Sequence, residues 1–163
     1  MVELSVLEAA AGVSLKETSF RDNRRVDVPE GSVRPLLESL KNSHSFDMLI
    51  DITAVDYLEY PGARDRFGVV YLVLNTGSGE RLIVRTAVNL PDPKLPTVSD
   101  LWRAANWAER EVYDMFGIVF TGHPDLRRIL MPDEFTEFPL RKDYPMKGRG
   151  ERHNFPVITR AES

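Results

Sequence analysis

Five of the chain's eleven prolines fall between Pro124 and Pro156. Each lacks a backbone N–H and crowds the turn before it, so this spacing leaves no room for a helix of useful length. The same stretch nevertheless carries Leu126, Ile129, Leu130, Met131, Phe135, Phe138, Leu140, Tyr144, Phe155, Val157 and Ile158. Solvated disordered segments hold few such side chains. An apolar, non-periodic segment with no core of its own is expected to lie on something. Residues 1–116 are long enough to form a domain, so the sequence predicts an extended, Pro-rich C-terminal arm over residues 117–163, ordered as it docks on a partner subunit.

Ahead of the arm, hydrophobic period and chain breakers predict an α+β domain, its mixed or antiparallel sheet flanked by helices. Val2 to Ala11, rich in Ala and Leu, reads as a helix stopped by Gly12. Ser14–Phe20 and Arg24–Val28 read as strands about the turn-prone pair Asp22-Asn23. Ser32 is expected to cap a second helix that has Pro35 in its first turn, buries Leu36, Leu37 and Leu40, and ends near Asn42. Met48–Val55 is a strand candidate. Phe67–Leu74 is apolar on both alternating faces, which suits a central strand covered on both sides. Asn75-Thr76-Gly77-Ser78-Gly79 and then Arg81–Val88 give a hairpin signal, with Leu82, Val84 and Val88 on one face and Arg81 and Arg85 on the other. Gly77-Ser78-Gly79 joins two strands, whereas a dinucleotide-binding loop needs a strand followed by a helix.

Pro91, Pro93 and Pro96 break the chain before Thr97, which with Asp100 fits a capping-box-like start. Val98, Leu101, Ala105, Ala108, Val112 and Met115 follow at three- and four-residue steps, one stripe of a helix ending at Gly117. Arg103, Arg110 and Asp114 fall on the opposite side, and Trp102, Glu109 and Tyr113 flank the stripe. Glu109, Glu111, Asp114 and Asp125 stand against Arg110, Arg127 and Arg128, and arginine suits bidentate pairing with partly buried carboxylates. Arg127 or Arg128 is therefore expected to fold back on the helix carboxylates and fix where the arm departs. A metal or acid–base cluster of Glu109, Glu111, Asp114 and His123 suits the spacing poorly, since Glu109 and Glu111, two apart, share no helix face. At a turn before Pro124, His123 is more at home holding a loop by hydrogen bonds.

With no cysteine, the chain forms no disulfide, presents no thiolate and lacks the usual iron–sulfur ligands. A net charge of −4 gives no electrostatic reason to expect a nucleic-acid partner. The run from Arg141 to Arg152 sets Arg141, Lys142, Lys147, Arg149 and Arg152 against Asp143 and Glu151, yet no stacking platform or glycine-rich loop accompanies it. The first residues have no basic region, and no apolar run of about 18 residues occurs, so neither a signal peptide nor a membrane span is expected. Membrane contact would go through a partner.

The run Glu109-Arg110-Glu111-Val112-Tyr113-Asp114-Met115-Phe116-Gly117-Ile118, followed by His123-Pro124-Asp125-Leu126-Arg127-Arg128-Ile129-Leu130, resembles the signature of the C subunit of respiratory complex I, the proton-pumping NADH:quinone oxidoreductase. Phe138-Pro139-Leu140-Arg141-Lys142-Asp143-Tyr144-Pro145 is similar to that family's second run, in the arm. Asp51–Tyr57, Arg66–Leu74 and Trp102–Trp107 resemble weaker blocks upstream, so the likeness covers roughly residues 48–146. Gly68, Leu72 and Ala108 depart from it, where the family usually carries a larger and often acidic residue, a histidine, and a larger residue.

The resemblance implies a non-redox structural and assembly subunit of the peripheral arm. Electrons would pass from NADH through FMN and iron–sulfur clusters, all held by other subunits, to quinone. No catalytic, cofactor or metal residue is implied on this chain. Its implied partners are chiefly the D subunit, with the B subunit nearby and no nucleic acid, at the cytoplasmic side of a bacterial inner membrane. The implied interface residues are Glu109, Arg110, Glu111, Tyr113, Asp114, Phe116, Gly117, His123, Pro124, Asp125, Arg127 and Arg128, then Pro139, Leu140, Arg141, Lys142, Asp143, Tyr144 and Pro145. Two alternatives stand beside this reading: the equivalent subunit of a membrane-bound hydrogenase or other donor-linked complex, and a nucleic-acid module using the basic tail.

Overall fold

The computed structural model describes residues 1–21 and 23–151. Its elements are α1 (Leu4–Ala11), β1 (Lys16–Phe20), β2 (Asn23–Val28), α2 (Glu30–His44), β3 (Met48–Asp56), β4 (Phe67–Leu74), β5 (Arg81–Val88), β6 (Lys94–Pro96), α3 (Ala105–Phe116) and β7 (Val119–Thr121). Five strands form one mixed sheet in the order β1-β2-β5-β4-β3, in which the β2–β5 pair alone is parallel, and β6 and β7 form a small parallel pair.

The hairpin signal becomes the middle of the sheet. β4 and β5 pair from Phe67 opposite Val88 to Leu74 opposite Arg81. Asn75 closes the turn: its Oδ1 accepts the backbone N–H groups of Gly77 and Ser78, both at 3.0 Å. Short polar side chains that bond their own backbone in this way stabilise turns without cross-strand help. Period-two alternation then sends Phe67, Val69, Tyr71 and Val73 of β4, and Leu82, Val84 and Val88 of β5, into the core.

On that inner face α2 packs over β5 and α3 over β3, while α1 packs on α2. β4 is not enclosed on both sides as its composition suggests. Val70, Leu72 and Leu74 keep part of their surface exposed, because the helices lie on the inner face and only β3 and β5 shelter the other. In β3 the pairing slips between Leu49 and Asp51. This bulge puts Ile50 and Asp51 outward in succession and returns Ile52 and Ala54 to the core.

The second helix begins before its expected cap. Pro29, not Ser32, occupies the N-cap position, and Pro35 lies inside the helix rather than in its first turn. An interior proline costs about 3 kcal/mol. Val33, Leu36, Leu37 and Leu40 are all buried, each contributing roughly 1.5–3 kcal/mol over an exposed position, so packing outweighs the defect. The helix also runs past Asn42 to His44.

α3 likewise starts later than its periodicity suggests. Val98 to Ala104 form turns ahead of it, and Asp100, free of any capping role, pairs with Arg34 at 2.6 Å. Gly117 ends the helix in the left-handed region at φ 73°. Residues 118–121 then stay with the domain: Ile118 and Phe120 are buried, and β7 pairs with β6. From Gly122 to Gly150 the backbone consists of turns and irregular segments.

Candidate docking site

The stripe Ala105, Val112 and Met115 lies against the sheet as its spacing requires. Arg110 and Asp114, expected on the open side of the helix, are buried as well. The polar side of α3 is covered by the segment that follows it.

Asp114 is the centre of this seam, its carboxylate wholly enclosed. Oδ1 accepts from Arg128 Nη1 at 2.6 Å, and Oδ2 accepts three consecutive backbone N–H groups, those of Ile129 (3.0 Å), Leu130 (2.7 Å) and Met131 (2.9 Å). Burial alone would raise its pKa, but these N–H groups and the Arg128 guanidinium outweigh it and hold the group below the usual aspartate range. The stabilisation is therefore complete above the ordinary aspartate pKa and is lost only as pH falls through the lowered one.

Arg110 complements this cradle from the same helix. Its Nε and Nη2 donate to the carbonyls of Arg127 and Arg128, each at 3.0 Å, while its guanidinium stacks on Trp107 at 5.1 Å. One helix thus supplies a carboxylate for three backbone donors and, one turn earlier, a guanidinium for two backbone acceptors. Arg128 also donates to the Glu137 carbonyl at 3.0 Å and sits over the rings of Phe135 and Phe138.

A second latch closes the C-terminus of α3. Arg141 Nε donates to the Phe116 carbonyl at 2.6 Å, and its guanidinium lies 4.4 Å from the Phe138 ring centre and 5.4 Å from that of Phe67. A cation here satisfies an orphan carbonyl at the negative end of the helix. Only glycine fits beneath it: a Cβ on Gly117 would lie 2.5 Å from Arg141 Nη2 and 2.6 Å from the Phe138 ring.

The third latch is Asp56 at the end of β3. Its enclosed carboxylate accepts from Arg66 at 2.8 and 2.9 Å, from the Lys142 backbone N–H at 2.8 Å and from that of Leu58 at 2.9 Å. Burial pushes its pKa up, and these donors outweigh it and hold it low. Arg66 reaches on to Asp143 at 3.0 Å. The apolar segment from Leu126 to Tyr144 therefore lies first on its own domain, rather than waiting for another subunit to order it.

Comparison with known proteins decides the family. Residues 26–150 match "Respiratory-chain NADH dehydrogenase, 30 Kd subunit". The chain belongs to this family, that of the C subunit of respiratory complex I.

Among the C-subunit relatives, NADH-quinone oxidoreductase subunit 5 of Thermus thermophilus is 55% identical over 107 residues, 62% of this chain and 52% of its own length. The chain thus spans about half of that relative. The NADH-quinone oxidoreductase C subunit of Geobacter metallireducens is 42% identical over 151 residues, 92% of this chain and 90% of that one. In Aquifex aeolicus a longer relative, whose name joins the C and D subunits as C/D 2, is 46% identical over 134 residues, 82% of this chain but 22% of that one. A solved structure titled as the trypsin-resistant fragment (1–134) of Nqo5 superimposes with a TM-score of 0.68 at 43% identity, over 75% of this chain and 97% of that one. The membrane-bound sulfane sulfur reductase, an archaeal respiratory membrane complex, contains a chain with TM-score 0.75 at 27% identity, over 96% and 91%.

The complex I signature residues divide by burial. Glu109, Arg110, Asp114, Phe116 and Gly117 are enclosed, as is the His123 ring. Tyr113 meets Phe138 edge-on at 6.4 Å, Tyr144 meets Phe135 at 5.8 Å, and Pro139 is partly covered between them in sequence. Glu111, Pro124, Asp125, Arg127, Leu140, Lys142, Asp143 and Pro145 face outward. Of the two candidate arginines, Arg128 folds back on the helix. Arg127 pairs at 3.0 Å with Asp125 in solvent. Arg127→Ala is accordingly expected to change thermal stability by no more than about 0.5 kcal/mol, read by the melting temperature.

The basic run is partly consumed within the fold: Arg141 lies under the arm and Arg149 pairs with Glu137 at 3.0 Å, while Arg152 falls outside the described residues. Asp56 and Arg66 lie in weaker blocks of the resemblance, and sequence reasoning missed their pairing. A separation of ten residues across a loop gives no periodic signal. Gly68, a departure from the family pattern, lies beneath the Tyr57 ring, where a Cβ would come within 2.8 Å.

Proposed function

We propose that this chain is a non-redox structural and assembly subunit of the peripheral arm of a proton-translocating NADH:quinone oxidoreductase. It docks chiefly on the D subunit, with the B subunit nearby, at the cytoplasmic side of a bacterial inner membrane. FMN and the iron–sulfur clusters belong to other subunits, and the chain serves the enzyme by positioning them.

One observation carries the reading. Three latches inside the fold fix the path of residues 126–144, yet Trp107 (61% exposed), Leu130 (60%), Leu140 (52%) and Met146 point outward from the helix and arm. A segment whose backbone is already ordered loses little further entropy on binding, so its exposed apolar side chains contribute more net affinity. Large exposed apolar groups beside arginine suit the centre of a protein interface. A relative that bears the joint name C/D supports the D subunit as partner. Among the described residues no helix is long and apolar enough to cross a membrane, which fits attachment through partners.

Purification of the tagged chain from gently solubilised membranes, with partners identified by mass spectrometry and NADH:quinone activity assayed in the eluate, tests this. D and B subunits together with NADH-dependent activity are the expected result. Recovery of the chain alone overturns it. The sulfane sulfur reductase likeness favours a second reading, the equivalent subunit of a complex with another electron donor. In that case D- and B-like subunits return without NADH-dependent activity.

A further inference from the structure

A cavity of about 480 Å3 opens on the outer face of the sheet, between the β3–β4 loop and strands β5 and β1. Its floor is a pair of small residues, Gly68 and Ala87, which face each other across β4 and β5. Because Gly68 has no side chain, the Tyr57 ring can lie down on the strand. Tyr60 meets that ring edge-on at 5.9 Å. Two successive turns hold the loop, the Tyr60 N–H donating to the Tyr57 carbonyl at 2.9 Å and the Ala63 N–H to that of Tyr60 at 3.1 Å. The walls are thus set before anything binds, which spares the entropy of ordering them.

The lining is basic although the chain carries a net charge of −4. Lys16, Arg64 and Arg85 stand against Asp65 alone. Arg85 donates to Asp27 at 2.7 Å, an acid that it shares with Arg25 at 3.7 Å, and reaches the Tyr57 hydroxyl at 3.5 Å. Asp65 accepts from Asn89 at 3.0 Å. That leaves Lys16 and Arg64, both exposed, with no acidic partner among the described residues.

Solvated cations of this kind hold a lone small anion weakly, since an exposed pair contributes about 0–1 kcal/mol. A segment tethered nearby is held better, because its local concentration replaces encounter from bulk. The loop supplies that proximity. It runs from Asp56 to Arg66, the two residues of the third latch, which grip the arm at Lys142 and Asp143. A partner seated on the arm is therefore one loop away from the cavity.

We propose that this cavity is a second contact of the same interface and takes an acidic, extended segment of the partner that docks on the arm. Its carboxylates pair with Lys16 and Arg64 at the mouth, and an apolar side chain between them rests on Gly68 and Ala87 beside the two tyrosines. The inference rests on the docking reading. At β1 the contact runs through the Lys16 side chain, at the end of the strand away from Phe20, so the edge amides of that strand exchange as in the free chain.

The test places photoreactive benzoylphenylalanine at Tyr60 in one preparation of the purified assembly and at Leu140 in another, and identifies the cross-linked peptides by mass spectrometry. Both probes should link to the same partner, the Tyr60 probe within a segment carrying Asp or Glu. Lys16→Glu combined with Arg64→Glu should lower the Tyr60 cross-link about tenfold and leave the Leu140 cross-link unchanged. If the Leu140 probe links to the partner while the Tyr60 probe links to nothing, to this chain itself or to a segment without acidic residues, the cavity proposal is overturned and the docking reading stands. An undiminished Tyr60 cross-link in the charge-reversed variant also overturns it. If neither probe reaches a partner, the docking reading falls with it. The wild-type cross-links decide the matter even where the variant fails to assemble.

Discussion

Asp114→Ala is expected to lower stability by about 3–5 kcal/mol, the cost of leaving a buried charge without its partner. Arg128, 12% exposed in its side chain, would keep its place between Phe135 and Phe138 with no counter-charge. The N–H groups of Ile129, Leu130 and Met131 would lose their acceptor together. For a chain of 163 residues this corresponds to a melting temperature lower by roughly 10 °C. The first visible event should be protease cleavage between residues 123 and 145 while the sheet remains intact. Asp114→Asn should fall between wild type and Ala, since one oxygen still accepts but an amide NH2 meets the arm's donors. An Ala variant that melts within 1 kcal/mol of wild type, with the arm still resistant, would remove Asp114 from its central place.

Gly117→Ala is expected to cost about 2–5 kcal/mol, from two separable sources. An L-residue in the left-handed region costs roughly 1–2 kcal/mol, and displacing a packed neighbour costs roughly 1–3 kcal/mol. Gly12 provides the control. It also ends a helix, at φ 70°, but nothing lies within 4 Å of a Cβ there. Gly12→Ala should therefore show the conformational cost alone, about 1 kcal/mol. Denaturant midpoints of the two variants read the difference, which reports how firmly Arg141 and Phe138 hold the end of α3. Equal costs would mean that the arm yields freely at this point.

Much of the domain was legible because its signals are local. The strand–turn–strand at Phe67–Val88 declared itself by apolar alternation around Asn75 and two glycines, and Gly117 stopped α3 where the period ended. What stayed hidden depends on backbone partners that any sequence possesses. Arg110 binds backbone C=O groups, and three of the four donors to the Asp114 carboxylate are backbone N–H groups, so of the contacts that cover these two residues only the Arg128 side chain was marked by residue type. Spacing could not choose between Arg127 and Arg128, because an irregular chain carries no helical phase to assign. Thr97, read as a cap, instead donates its hydroxyl to Glu109 Oε2, a partner twelve residues away on the following helix. The resemblance reached the family through about twenty ordered positions, whereas local physics alone reached a domain with an apolar arm.

Hydrogen exchange on the chain alone, and again within the purified assembly, tests the docking role most directly. Amides between Arg127 and Met146 that the latches leave without an acceptor, together with the exposed start of α3 around Trp107, should gain strong protection on assembly. The edge strand β1, where Phe20 stands 73% exposed, should change little. Protection confined to β1 and β2, with these unlatched arm amides exchanging equally in both states, would contradict the assignment of α3 and the arm as the docking element.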